Sequence, residues 1–289
     1  MAKVAVMADS VAGIPRNLAE EYQITVVPTA NIIFGKQTYL DGETINAAEA
    51  YGLLRKDPNK FTTSAIAPEY LLNVFQQLST TTRDILFVTI SGALSAVPQT
   101  AKIAAELLKE EKPEVNVYIL DSKTVASAEG LVVLAAARAA ARGMSLEAVV
   151  AYAQQVRQKT GCVMLLDTLR YAYRTGRISK TSSAIAALLG IKPINRVSEN
   201  GTVDFVDKVR KREEGIKRLF QLIKAESGTE ALHFMVMHAD AMSLAQDISE
   251  QLKKEFRPLS MIISDYSPVM GYGAGPGAIS IGFHPEINL

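Results

Sequence analysis

Short apolar segments alternate with helical patterns along the first half of this chain. Residues 85–90, Ile-Leu-Phe-Val-Thr-Ile, are almost continuously β-branched or large and apolar, which predicts a strand buried on both faces. Similar segments occur at 3–8, 24–27, 31–34 and 116–120. Strands that alternate with helices are typical of a parallel sheet covered by helices. We therefore predict an α/β fold whose first half is a Rossmann-like parallel sheet.

The helical segments of this half differ in character. Amphipathic patterns predict helices at 15–22, 46–56, 68–78 and 97–111. In contrast, residues 130–142 are nearly all Ala, Leu and Val, with few polar positions. A helix that is apolar on most sides is buried. We expect this helix to pack between the sheet and its neighbours, or between domains.

The pattern changes near residue 160. Asn200-Gly201 between two apolar segments is a strong hairpin signal, so the second half is predicted to be an α/β unit with a mixed sheet. We predict one domain at 1–158 and a second at 159–289. The predicted strands are 162–166, 194–197, 202–206, 233–238, 259–264 and 278–283, and the predicted helices 168–175, 182–189, 213–224 and 243–256.

Composition excludes several classes of protein. Lys and Arg number 31 against 30 Asp and Glu, which gives no electrostatic reason to bind nucleic acid. The single Cys162 excludes an intramolecular disulfide and fits a reducing compartment. The apolar run at the N-terminus is too short for a signal peptide, and no segment is long enough to span a bilayer. We expect a soluble, cytoplasmic protein without stable membrane insertion.

Two hydroxyl-rich segments precede predicted helices. Residues 61–64, Phe-Thr-Thr-Ser, run into Pro68, and residues 91–95, Ser-Gly-Ala-Leu-Ser, follow the strand 85–90. Strand ends in parallel sheets and helix starts are places where anions bind. The alternative is that these hydroxyls only cap helices. The predicted anion-binding residues are Thr62, Thr63, Ser64, Ser91 and Ser95.

The sequence offers no clear catalytic or metal centre. His233, His238 and His284 lack metal-site spacing and are predicted to be core or edge residues. An acyl hydrolase or transferase with Ser95 or Ser91 as nucleophile is the alternative class. That enzyme would need a positioned base, for which His233 or His238 is the nearest candidate by type.

Other polar and glycine-rich segments have structural interpretations. Asp9, Asp41 and Asp121 lie at predicted strand ends and are expected to cap the following turns. The segment 271–277 has four glycines, but it is not predicted to open a helix after a strand, as a dinucleotide-binding loop does. Its glycines are expected to let the backbone approach a ligand or another loop.

Two basic segments have alternative interpretations. Arg177 follows Gly176 at a predicted helix end, where a cation complements the helix dipole or contacts an acidic ligand group. The run 208–212 is either a solvated face or a docking site for an acidic partner or phosphate.

Short motifs along essentially the whole chain resemble, in order, those of the DegV family. They include Val6-Met7-Ala8-Asp9-Ser10 and Thr62-Thr63-Ser64. Each motif is weak alone, and their common order carries the resemblance. The full set is 6–10, 24–28, 39–42, 62–64, 91–95, 120–122, 167–169, 176–179, 192–194, 208–210 and 275–278.

The resemblance implies a lipid-binding protein of two α/β domains, not an enzyme. The ligand would be a long-chain fatty acid, such as palmitate, stearate or oleate, and no metal or other cofactor is implied. Some family members are the binding subunit of a bacterial fatty acid kinase and present the carboxyl group to an ATP-dependent partner. The implied carboxylate-binding residues are Thr63 and Ser95 with Ser64, Ser91 and Thr62 nearby, and the implied head-group and partner contacts are Arg177 and Arg210.

The chain departs from the family pattern at two places. Ala96-Val97-Pro98 stands where the family usually has Gly-Thr-Tyr, and Gly273 stands where it usually has a histidine. The missing histidine removes a hydrogen-bond donor near the head group. This departure bears on presentation for phosphorylation more than on binding.

Overall fold

The computed structural model describes residues 4–177 and 190–288. The helix predicted at 182–189 lies outside the described residues. The strands are β1 (Val4–Asp9), β2 (Thr25–Val27), β3 (Ala30–Phe34), β4 (Gln37–Leu40), β5 (Phe61–Ala65), β6 (Asp84–Thr89), β7 (Asn116–Asp121), β8 (Gly161–Leu165), β9 (Lys192–Val197), β10 (Val203–Val209), β11 (Leu232–His238), β12 (Ser260–Asp265) and β13 (Ile279–Pro285). The helices are α1 (Arg16–Glu21), α2 (Ala47–Lys56), α3 (Pro68–Leu78), α4 (Val97–Glu111), α5 (Ser127–Ala141), α6 (Leu146–Lys159), α7 (Arg170–Thr175), α8 (Arg212–Ser227), α9 (Met242–Phe256) and α10 (Pro268–Ala274).

The first sheet has the order β2-β1-β6-β7, and all its strands are parallel. Strand β6, predicted from its continuous apolar run, lies inside this sheet and is buried along nearly its whole length. The predicted parallel α/β fold of the first half is therefore confirmed. The carboxyl ends of β1 and β6 lead directly into the segments that begin with Ser10 and Ser91.

The second sheet is mixed, with the order β10-β9-β8-β13-β11-β12. Only β11 and β12 pair in parallel among the described pairs of this sheet. The predicted hairpin joins β9 to β10, and Gly201 adopts a φ of 80° in its turn, a conformation that glycine reaches without strain. The mixed sheet predicted for the second half is confirmed.

The third sheet corrects one prediction. Strands β4, β3 and β5 pair antiparallel, so the segment 61–64, which was expected to lead into a helix as an anion site or a cap, is part of strand β5. Threonine favours both helix caps and strands, and only the distant β3 decides between them. Strand β4 was not predicted.

A second correction concerns the glycine-rich segment. Helix α10 follows β12, and its last turn contains Gly271 and Gly273, which were predicted to lie in a loop. Ser267 caps this helix by accepting a hydrogen bond from the N–H of Met270, and Pro268 occupies its first turn. These start signals outweigh the low helix propensity of glycine.

Helix α5 lies between the first and second sheets. It contacts β1 and β6 on one side and β11 and β13 on the other, and nearly all its residues are buried. The prediction of a buried helix is confirmed. Close packing requires a glycine on β13, because a Cβ at Gly282 would lie 2.5 Å from the carbonyl carbon of Ser127.

Candidate functional site

A cavity of about 210 Å³ lies where the three sheets approach one another. Its lining is mainly apolar and includes Tyr272 and Gly273 of α10. The polar lining residues are Thr29, Thr63, Ser64, Ser95, Thr175 and Arg177. The apolar lining residues are Val11, Ala30, Ala65, Ile90, Leu94, Ala96, Val125, Met164, Leu166, Ala172, Val203, Val269, Met270 and Ala274.

Strand β5 brings the first hydroxyl-rich segment, residues 61–64, to the cavity. Successive side chains of a strand point to opposite faces, and Phe61 and Thr63 lie on the less exposed one. Thr63 and Ser64 line the cavity, whereas Thr62 does not and is exposed. Ser64 also accepts a hydrogen bond of 3.3 Å from the Asn31 side-chain amide.

The second hydroxyl-rich segment, residues 91–95, forms a tight turn between β6 and α4. Ser91 is fully buried, and its Oγ accepts a hydrogen bond of 3.2 Å from the N–H of Ala93. Its carbonyl oxygen accepts hydrogen bonds from the N–H groups of Leu94 and Ser95. Ser91 therefore shapes the turn and does not line the cavity. Ser95 lines it, while its Oγ accepts a longer hydrogen bond of 3.3 Å from Val97 N–H.

The predicted basic residues lie in different places. Gly176 ends α7 with a φ of 68°, and the exposed Arg177 that follows lines the cavity and donates to the carbonyl oxygen of Thr175. Arg210 directly follows β10 and is not among the lining residues. Within its basic run, Arg212 pairs with Asp167 at 2.7 Å.

A buried carboxylate holds three walls of the cavity together. Asp9, at the end of β1, accepts hydrogen bonds from the N–H of Ile90 at 2.7 Å, the hydroxyl of Thr29 at 2.8 Å and the N–H of Val11 at 3.1 Å. All three partners line the cavity. The predicted capping role of Asp9 is confirmed by the Val11 bond. Thr29 was missed, although it closely follows β2 at the same sheet edge.

Asp41 joins the third sheet to the other two. It accepts hydrogen bonds from the Ser10 hydroxyl and, at 2.9 Å, from the N–H of Val269 in α10. Burial raises the pKa of Asp41 to about 6, against the opposing effect of these hydrogen bonds. The sequence interpretation of Asp41 as a strand-end cap did not foresee this tertiary role, since Val269 is 228 residues away.

We expect Asp41 to make stability depend on pH. Its pKa rises from 3.8 to about 6 in the folded protein, so between these values the folded state retains a proton that the unfolded state has lost. Stability is therefore fully present below about pH 4 and falls as pH rises to about 6. The loss attributable to Asp41 is roughly 3 kcal/mol.

Urea unfolding of the natural chain and of Asp41→Asn at several pH values measures this effect. The difference between the free energies of unfolding of the two proteins should change by roughly 3 kcal/mol from pH 4 to pH 7. The variant retains two other buried carboxyls, Asp9 and Glu129 in the first turn of α5, and both proteins therefore contain them. A difference that is constant with pH would contradict the assignment.

The remaining candidates lie away from the cavity. His238 and His284 are buried and His233 stacks on His284, as predicted for core or edge residues. Cys162 is buried, and burial raises the pKa of its thiol to about 12. Among the described residues there is no group of three or more His, Cys, Asp or Glu placed to hold a metal. No helix in the same part of the chain could span a membrane.

Together, these features define an α/β protein of parallel and mixed sheets with a mainly apolar cavity edged by hydroxyl groups. The chain belongs to the DegV family, described as uncharacterised proteins, whose family model matches residues 3–286. A DegV domain-containing protein of Caldanaerobacter subterraneus is 32% identical, with 99% of this chain and 100% of the relative covered.

Solved structures of the family have the same fold. DegV from Bacillus subtilis, described as a fatty acid binding protein, is 25% identical and matches with a TM-score of 0.87 over 99% of this chain and 100% of its own. A stearic acid-binding protein from Eubacterium ventriosum is 22% identical and matches with a TM-score of 0.89 over 99% of this chain and 98% of its own.

Proposed function

We propose that this protein binds a long-chain fatty acid. The observation that carries the proposal is a mainly apolar cavity with Thr63 and Ser95 in its wall. The fatty acid binding described for the Bacillus subtilis relative supports the same ligand class. Apolar pockets with a few placed polar groups suit ligands of this kind, because the polar groups set the orientation.

The mainly apolar lining of the cavity suits an acyl chain. Each buried methylene contributes about 0.8 kcal/mol, so a dozen methylenes contribute on the order of 10 kcal/mol. This free energy exceeds the lower range of association costs.

The head group would lie beside the hydroxyls. Thr63 Oγ1 and Ser95 Oγ donate to the carboxylate in this proposal, with Ser64 next to Thr63 and Arg177 at the same cavity. Hydrogen bonds to a charged acceptor are stronger than neutral ones. Thr62, Ser91 and Arg210 receive no ligand contact in this arrangement. We assign Ser91 to shaping the turn that presents Ser95.

Organic extraction of the purified protein followed by mass spectrometry tests the proposal. We expect a stoichiometric long-chain fatty acid, and we expect C16 and C18 acids to raise the melting temperature of delipidated protein. Recovery of no acyl chain, together with no thermal stabilisation by any of these acids, would contradict the proposal.

Presentation of the bound acid to an ATP-dependent fatty acid kinase is a finer part of the proposal. The exposed Arg177 at the cavity and the exposed Arg210 beyond β10 supply positive charge for an acidic or phosphorylated partner. Gly273 lines the same cavity without contributing a donor. Kinase-dependent conversion of the bound acid to its acyl phosphate tests this part separately from binding.

A histidine should be tolerated at position 273. A Cβ built on Gly273, which lines the cavity, meets no atom within 4 Å, so a side chain can start at this position without a clash. We expect Gly273→His to add a donor beside the carboxylate and to increase affinity about tenfold, as one net hydrogen bond to a charged group does. Titration calorimetry against palmitate measures the change, with Gly273→Leu as the control for added bulk. Equal gains in both variants would assign the effect to bulk alone.

The hydrolase alternative finds no support in the cavity. No histidine, aspartate or glutamate lines it within the described part of the chain, so Ser95 has no adjacent base there. Ser91 is buried in its turn and accepts a backbone hydrogen bond. If the protein alone hydrolysed acyl esters, and Ser95→Ala abolished that activity, this alternative would replace the proposal.

A further inference from the structure

Asn195 carries a buried amide in the second sheet. It lies on β9 and is fully buried. Neither its Oδ1 nor its Nδ2 has a hydrogen-bond partner among the described residues. An asparagine side chain offers two donors and an acceptor oxygen with two lone pairs. Leaving all of them unpaired destabilises a fold, and such groups in native proteins have a reason.

The register of the sheet places this amide beside the cavity. Asn195 pairs with Met164 of β8, and Met164 lines the cavity. The preceding Ile194 belongs to the core on the opposite face of the sheet. Directly opposite residues of an antiparallel pair lie on the same face within about 5.5 Å of each other, so the Asn195 side chain is on the cavity face.

The residues next to the amide can make room for a ligand. Val203 of β10 also lines the cavity, and it pairs with Val197, two residues from Asn195 on the same strand face. Asn195 itself does not line the cavity, whereas its cross-strand neighbour Met164 does. Methionine is unbranched with three rotatable bonds, so it can change rotamer at low cost. A small rotation of this side chain would open the amide to the bound chain.

We infer that Asn195 forms a polar subsite for a hydroxyl group on the acyl chain, remote from the carboxylate. The inference rests on the proposed function and names the substrate class as hydroxylated long-chain fatty acids. A hydroxyl both donates and accepts, so it can pair with Oδ1 and Nδ2 of one amide. A saturated or unsaturated hydrocarbon chain leaves both atoms unpaired.

The experiment compares stearic acid with a set of hydroxystearic acids whose hydroxyl lies at successive middle carbons. The natural protein should bind at least one hydroxylated acid about tenfold more tightly than stearic acid. In Asn195→Leu the preference should disappear, so that the hydroxylated acid and stearic acid bind with equal affinity. The affinity for stearic acid should be that of the natural protein. Ile194→Val changes the opposite face of the same strand and keeps the amide, so it is the matched control, in which the preference should persist.

Each other outcome overturns the inference in a recognisable way. Equal binding of stearic acid and every hydroxylated acid by the natural protein would overturn it, while the proposed function would stand. If the preference for a hydroxylated acid survived in Asn195→Leu, another residue would be responsible for that preference. A variant with altered stability but unchanged selectivity would show that Asn195 holds only a buried water. Binding of no acid at all would overturn the proposed function itself.

Discussion

The double variant Thr63→Val, Ser95→Ala should lose at least about a hundredfold in affinity for palmitate. Each substitution removes one hydroxyl donor from the cavity wall while keeping the side chain of similar size or smaller. A hydrogen bond to a charged group contributes about 1.5–3 kcal/mol, so two of them account for two orders of magnitude or more. Titration calorimetry with delipidated protein measures the loss.

Thr62→Val is the matched control for this experiment. It is the same chemical change on the same strand, but Thr62 is exposed and does not line the cavity. Its affinity should equal that of the natural chain. Urea unfolding checks that the double variant stays folded under the binding conditions. Unchanged affinity in the folded double variant would remove Thr63 and Ser95 from the head-group site.

Gly282→Ala should strongly lower the free energy of unfolding. A Cβ at this position would lie 2.5 Å from the carbonyl carbon of Ser127 and 2.6 Å from the backbone nitrogen of Ala128. These are backbone atoms at the start of α5, which is buried between two sheets and cannot shift alone. We expect a loss of about 3 kcal/mol or more in the free energy of unfolding, measured by urea denaturation.

Gly52→Ala is the same chemical change, but it should raise the free energy of unfolding. Gly52 lies in α2, where a Cβ meets no atom within 4 Å. Alanine is favoured over glycine in a helix by roughly 1 kcal/mol, so this variant should gain stability. Destabilisation of both variants to the same extent would show that the packing against α5 is not responsible.

Elements with strong local signals could be predicted from the sequence. Helices α3 and α4 begin and end where expected, since each starts with a proline in its first turn and continues an amphipathic period. Strand β6 was recognised because a continuous apolar run is typical of a buried parallel strand. The Asn200-Gly201 hairpin followed from the preference of its turn for glycine.

Other features depend on contacts between distant parts of the chain. Strand β5 is defined by pairing with β3, about thirty residues earlier, and its threonines alone suit a helix cap equally well. This pairing also separates Thr63 from Thr62, which the sequence placed in one cluster. Thr29 was not recognised as a cavity residue, nor Asp41 as a link between the sheets, because their roles require β1, the third sheet and α10 to come together. The division at 158/159 stays a prediction.

Helix α5 has a consequence for how the molecule unfolds. It precedes the predicted division of the chain, yet one of its sides packs on β11 and β13, which follow that division. Neither half can therefore separate without exposing this apolar side to water. A domain boundary in the sequence need not separate two parts that unfold independently. We expect thermal melting to show a single transition for both sheets, and a fragment ending at residue 158 to be prone to aggregation.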